Sequence, residues 1–280
     1  MVGPITRRLV LAAAVVGLAP VAALAESANI KAASAPPAAA EAAKPLKVGV
    51  SAGPYGDILR EAARLAEKEG LKVEVIEFTD WTQPNAALNA GDIDLNNFQH
   101  RPYLSNQVKA RGFRIIPLET SIVVPAGIYS SKFAKAADIP TGARVAIPND
   151  PSNSARSLYL FQQAGLIKLR EGAGVTATVA DIVDNPKNLS FIELDAAQLP
   201  RSLDDVAAAF VSNNYAHLAG LDRNKALALE GIDSQWTLVF AARDDRKDDP
   251  RIRRYIDLYR SADVKAFVDK TFGGSILATW

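Results

Sequence analysis

From residue 46 onward the apolar positions switch repeatedly between short extended runs and helical spacing. Lys47-Val48-Gly49-Val50 reads as a strand, and Ser51-Ala52-Gly53-Pro54 as a turn opening a helix. That helix places Ile58, Ala62 and Leu65 on one face and ends at Gly70. Val73, Val75 and Ile76 mark a second strand, Asn85 to Leu88 a short helix, and Ile93 to Phe98 a third strand. A helix over 102–110, stopped by Gly112, leads to a strand from Arg114 to Leu118. Strands alternating with helices predict a parallel sheet with helices on both faces.

Val123 to Tyr129 is apolar but interrupted by Pro125 and Gly127, which suits a crossing between lobes better than a central strand. A second α/β cycle follows: strand Arg144 to Pro148, helix Asn153 to Ala164 stopped by Gly165, strand Leu189 to Leu194, helix Leu199 to Val206, strand Ala208 to Ser212. Trp236 to Ala242 reads as the return crossing. Two amphipathic helices follow Pro250, with Ile252, Ile256 and Tyr259, then Val264, Phe267 and Val268, and pack back on the first lobe. The pattern predicts an α/β protein of two lobes, residues 46–124 with 240–280 and residues 125–239, joined by two hinge crossings. Its natural ligand site is the cleft between them.

Upstream of residue 46 the pattern changes. Arg7-Arg8, an apolar run from Leu9 to Leu18 and Ala23-Leu24-Ala25 have the layout of a secretory signal, residues 1–25, cut after Ala25. The run is shorter than the roughly 20 residues a spanning helix needs. Residues 26–45, Ala-rich with Pro36, Pro37 and Pro45, read as a flexible linker. Removing the signal takes 32 basic and 31 acidic residues to 30 and 31, so no basic surface for nucleic acid is indicated. The absence of cysteine excludes disulfides, thiolate metal sites and Cys nucleophiles. It also leads us to expect a freely soluble periplasmic protein rather than a Cys-anchored lipoprotein.

Candidate chemistry gathers at predicted strand ends, where open α/β proteins bind ligands. Trp81, Phe98, His100 and Tyr103 form an aromatic group suited to an apolar side chain or a planar group, with core packing as the alternative for Phe98. Arg156 falls about one turn into the helix begun by Asp150-Pro151-Ser152-Asn153. Its guanidinium and the free N–H groups of that helix are positioned to meet a carboxylate; the alternative is a surface arginine. Ser212-Asn213-Asn214-Tyr215 follows an apolar strand, either as amides facing a ligand or as a turn. The histidines His100 and His217 have no acidic cluster spaced to complete a metal site and no paired nucleophile, so neither a metal, a cofactor nor catalysis is expected.

These stretches resemble a known family. Phe98-Gln99-His100, Pro102-Tyr103-Leu104, Asn149-Asp150-Pro151, Asn153, Arg156, Asp184-Asn185-Pro186-Lys187-Asn188 and Gln198-Leu199-Pro200-Arg201 are similar to the NlpA/MetQ-type methionine-binding proteins of bacterial ABC importers. The resemblance runs from about Lys47 to Trp280. It implies a type II periplasmic binding protein, a monomer that closes on a small zwitterionic ligand and serves an ABC permease with its ATPase. It further implies that Trp81, Phe98, His100 and Tyr103 receive the ligand side chain, and that Asn149, Asn153 and Arg156 hold its charged groups. Two positions of the expected clamp depart from the family pattern: Ser212 begins the segment where relatives read Asn-Thr-Thr-Tyr, with Asn213 and Asn214 as substitutes, and Leu238 stands where an asparagine is frequent.

Overall fold

The computed structural model describes residues 44–231 and 235–280. The expected signal, and all but the last two residues of the expected linker, lie outside the described residues.

The first half of the chain builds strands Leu46–Ser51 (β1), Val73–Phe78 (β2), Leu95–His100 (β3) and Ile115–Thr120 (β4), with helices Tyr55–Lys68 (α1), Gln83–Ala90 (α2) and Arg101–Arg111 (α3) between them. Each short helix has a visible start and stop. Pro84 and Pro102 stand in the first turns of α2 and α3, where a missing N–H costs nothing, and Gly91 and Gly112 end them in the left-handed conformation.

Ile122–Val123 (β5) and Gly127–Tyr129 (β6) flank Pro125, so the expected single crossing strand is broken in two. Beyond it come Arg144–Pro148 (β7), Pro151–Gln163 (α4), the small hairpin of Lys168–Leu169 (β8) with Ile182–Asp184 (β9), Ser190–Leu194 (β10), Leu199–Ser202 (α5), Ala208–Val211 (β11), Asn213–Leu218 (α6) and Ala228–Leu229 (β12). The helix expected over Leu199 to Val206 thus stops at Ser202. Leu203 and Val206 are buried from the turn that follows. Leu238–Arg243 (β13), Pro250–Tyr259 (α7), Ala262–Phe272 (α8) and Leu277–Ala278 (β14) complete the order.

Two five-stranded sheets result, β2-β1-β3-β13-β4 and β10-β7-β11-β6-β12. In the first, β1 runs parallel to β2 and β3, while β13 is antiparallel to both of its neighbours, β3 and β4. The segment expected as a return crossing is therefore an interior strand of the first sheet. Its alternation explains why: Leu238, Phe240 and Ala242 face a core shared with α1, α7 and α8, and Val239 and Ala241 face the opposite core with Leu88, Leu104 and Ile115. A strand apolar on both faces belongs inside a sheet covered on both sides.

The second sheet repeats the plan. Val145, Ile147, Ala208 and Phe210 pack on α4, and Ala146, Ala209 and Val211 pack with Leu199, Leu203 and Tyr215. β7 is parallel to β10 and β11, with β6 antiparallel at β11.

Gly49 in β1 illustrates how closely the first core is filled. A Cβ there would lie 2.5 Å from Ile93 Cδ1 and 3.1 Å from the Phe78 ring. Gly49→Ala is expected to destabilise the fold by about 1–3 kcal/mol through overpacking, read as a lower urea midpoint at unchanged m-value.

Candidate ligand-binding cleft

The end of β3 and the start of α4, just past β7, are joined through His100 and Asn153, and the residues around them carry most of the chemistry. His100 ends β3 and caps α3. Its Nδ1 accepts the Tyr103 backbone N–H at 3.1 Å, which leaves the proton on Nε2 to donate to Asn153 Oδ1 at 3.1 Å. Burial, followed by the nearby Arg156 charge, lowers the His100 pKa to about 3. The ring is therefore a neutral donor bridging the two halves.

Asn153 is fixed from its other side. Its Nδ2 donates to both oxygens of Asp150, the α4 cap, which also accepts the Asn153 backbone N–H at 2.9 Å and the Ser152 hydroxyl at 2.8 Å. The start of α4 is thus occupied by its own carboxylate. The expectation of free helix N–H groups for a ligand anion does not hold there.

Arg156 is buried and also engaged. Nε and Nη2 donate to the two Glu230 oxygens at 2.6 and 2.5 Å, and Nη2 donates to the Val124 carbonyl at 3.0 Å. The guanidinium lies 5.8 Å from both the Phe210 and Trp236 ring centres. Among the described residues Nη1 alone has no partner on this side chain.

Opposite lies the aromatic wall. The Tyr103 hydroxyl donates to the Trp81 carbonyl at 2.8 Å, and Tyr103 meets Phe98 and Trp81 edge-on at 5.9 and 6.1 Å. Asp80 holds the Trp81 loop by accepting the backbone N–H groups of Thr82 and Gln83. Tyr215, from the second half, stacks at 5.3 Å on Trp81 and donates to the Thr79 carbonyl. Behind the wall, the buried amides of Asn85, Asn96 and Gln99 hydrogen-bond to one another at 2.7–3.0 Å, fixing α2 to β3.

Together these groups line one small, partly open cleft. Of the residues expected from the sequence, Trp81, Phe98, His100, Tyr103, Asn153, Arg156, Ser212, Asn214 and Leu238 line it. Asn149 does not: it is exposed just past β7, and its backbone N–H continues the ladder to the Leu194 carbonyl. Asn213 does not either, because its side chain turns to the Ser275 carbonyl at 3.1 Å. The segment read as amides or a turn is a helix, α6, with Ser212 before it.

Tyr55, Gln99 and Val124 also line the space, and Glu230 and Trp236 support Arg156 from behind. Tyr55 had a signal, since it follows the Gly53-Pro54 turn at the end of β1. Glu230 had none: it reaches Arg156 across 74 residues of sequence.

The chain was compared with known proteins. The family model described as NlpA lipoprotein matches residues 46–280. The D-methionine-binding lipoprotein MetQ of Yersinia pestis is 43% identical over 239 residues, covering 84% of this chain and 88% of that protein. A nutrient binding protein from Burkholderia cenocepacia, solved bound to methionine, is 48% identical with a TM-score of 0.79, over 84% of this chain and all of that one (100%). An ABC transporter periplasmic substrate-binding protein from Coxiella burnetii is 42% identical with a TM-score of 0.79, over 84% and 100% of the two chains.

These names correct one expectation. A freely soluble protein outside the lipoprotein class was expected, whereas the matched family and the Yersinia relative are lipoproteins by name. The 280 residues hold no cysteine.

Proposed function

The chain belongs to the NlpA lipoprotein family, and on that premise we propose that it is the substrate-binding protein of an ABC importer, closing its two lobes on methionine or a closely related compound. The observation that carries this reading is the cleft itself. One wall is aromatic and apolar, from Trp81, Phe98 and Tyr103, and the other is polar, from Asn153, Arg156 and Asn214. That division suits a ligand with an apolar thioether side chain at one end and a carboxylate at the other. Relatives bearing the methionine-binding name and the structure solved with methionine support the same ligand class.

In this reading residues 46–124 with 240–280 and residues 125–239 form the two lobes. His100 to Asn153, Tyr215 to Thr79 and Trp81 to Tyr215 are the contacts made when they close. The closed monomer delivers its ligand to a permease driven by an ATPase subunit. The protein is a carrier, and no catalytic step is assigned to it.

Calorimetric titration of the chain, freed of bound ligand, with L- and D-methionine tests the reading. Saturable binding of a methionine-type compound is expected, with a change in tryptophan fluorescence because Trp81 lines the cleft. Trp81→Ala is expected to weaken that binding by about 1–3 kcal/mol. If only compounds without a thioether or comparable apolar chain bind, the reading fails.

A further inference from the structure

Three consecutive residues at the start of α6 each meet a different segment of the first lobe. Asn213 Nδ2 donates to the Ser275 carbonyl at 3.1 Å. Asn214 packs on the turn between β1 and α1, where a Cβ added at Gly53 would lie 3.4 Å from Asn214 Cβ. The Tyr215 hydroxyl donates to the Thr79 carbonyl at 3.2 Å, and its ring stacks on Trp81. Asn214 lines the ligand cleft, and Tyr215 stacks on a residue that does. Asn213 instead lines a separate groove, with Pro54, Pro125, Phe272 and Ser275.

Both ends of the Asn213 bond are anchored in their own lobes. Tyr215 and Ala216 of α6 are buried with Leu199 and Val211 of the second lobe. Ser275 is fixed by its N–H and its hydroxyl, which donate to the Phe272 carbonyl at 2.9 and 2.7 Å. The next residue, Ile276, is buried in the first core, and Leu277–Ala278 pairs with β5. A carbonyl only accepts hydrogen bonds, so the amide nitrogen is the Asn213 atom that must face Ser275. Parting the lobes breaks this bond, because neither partner can follow the other.

A bond made in the closed arrangement alone biases the molecule toward closure by its own free energy, whichever ligand is held. We propose that Asn213 is a positioning residue for ligand capture: without touching the ligand, it latches α6 to the 273–280 segment of the first lobe and slows the ligand's escape. Asn213 thereby sets how long a ligand stays, while Trp81, Arg156 and the other cleft residues set which ligand is held.

This rests on the proposed function, whose two lobes and ligand class it takes over. The test is stopped-flow tryptophan fluorescence on the full chain, freed of bound ligand, with L- and D-methionine. Asn213→Ala is expected to raise the dissociation rate about threefold to tenfold, the net worth of one neutral hydrogen bond, and to leave the association rate within about twofold. Asn213→Asp keeps the shape but removes the donor and sets a carboxylate against the Ser275 carbonyl, so its ligand should leave faster still. The urea midpoint of the ligand-free protein should stay at the wild-type value in both variants, because neither lobe needs the bond to fold. Unchanged dissociation rates in both variants, or faster dissociation matched by a lower urea midpoint, overturn the inference and leave the proposed function standing. An unaltered protein that binds neither L- nor D-methionine overturns both.

Discussion

Glu230→Ala is expected to destabilise the protein by about 3–5 kcal/mol, with Arg156→Ala falling in the same range. Both side chains are nearly inaccessible, Arg156 4% and Glu230 8% exposed, so removing either leaves the other as a buried charge without its partner. The damage extends beyond the pair. Glu230 also accepts the Ala126 N–H at 2.8 Å, its own N–H bonds the Ala126 carbonyl at 3.0 Å, and Arg156 reaches the Val124 carbonyl. One ion pair therefore joins α4 to the segment between β5 and β6 and to the chain leading toward β13. Urea unfolding of both single variants and of the double variant Arg156→Met/Glu230→Leu measures this. The double variant is expected to be closer to wild type than either alanine variant, because an apolar pair leaves no charge stranded. Single variants within about 1 kcal/mol of wild type would show that water reaches the pair and the argument from burial is wrong.

Acidification supplies the second large effect. The His100 pKa falls from 6.5 to about 3 on folding, first by burial and then by the Arg156 charge. The unfolded chain therefore binds a proton at this residue over a range where the folded chain does not. Its contribution to stability is whole above pH 6.5 and drains away as pH falls toward 3, by at most about 1.4 kcal/mol per pH unit. Asp150, one hydrogen bond further along, works the other way. Burial raises its pKa, so its folded carboxyl holds a proton more readily than its unfolded one and offsets part of the loss in acid. His100→Gln isolates the histidine. The difference between wild type and variant in unfolding free energy should shrink between pH 6.5 and 4, and parallel curves would mean that His100 titrates in the folded protein as it does in water.

The sequence made the framework legible wherever the physics was local. Val48, Ile58 and Leu65 carry their periods within a dozen residues, and β1, α1, β7 and α4 appear within one to three residues of where those periods place them. The site was legible for a related reason: Trp81, His100 and Asn153 sit at element ends, marked by Asp80, Pro102 and Asp150. Non-local facts were hidden. Nothing in residues 236–242 reveals that they pair with 95–100, since a strand apolar on both faces suits a crossing as well as a sheet centre. Arg156 looked free to take a ligand because its partner stands 74 residues away. Asn149 and Asn153 looked equivalent, yet the one continues a strand ladder outward and the other turns inward from a helix.

The position of β13 has a consequence for how the chain is made. The first sheet has a vacancy between β3 and β4 until Leu238–Arg243 arrives, about 120 residues after β4 ends. All the strands of the second sheet are synthesised in that interval. At ribosomal speeds the delay is roughly 6 to 24 seconds, ample time for the later-encoded half to fold while the earlier-encoded half waits with two exposed strand edges. A chain truncated after residue 231 and released from the ribosome should thus carry a protease-resistant core from the second sheet alone, with the strands of the first sheet open to cleavage.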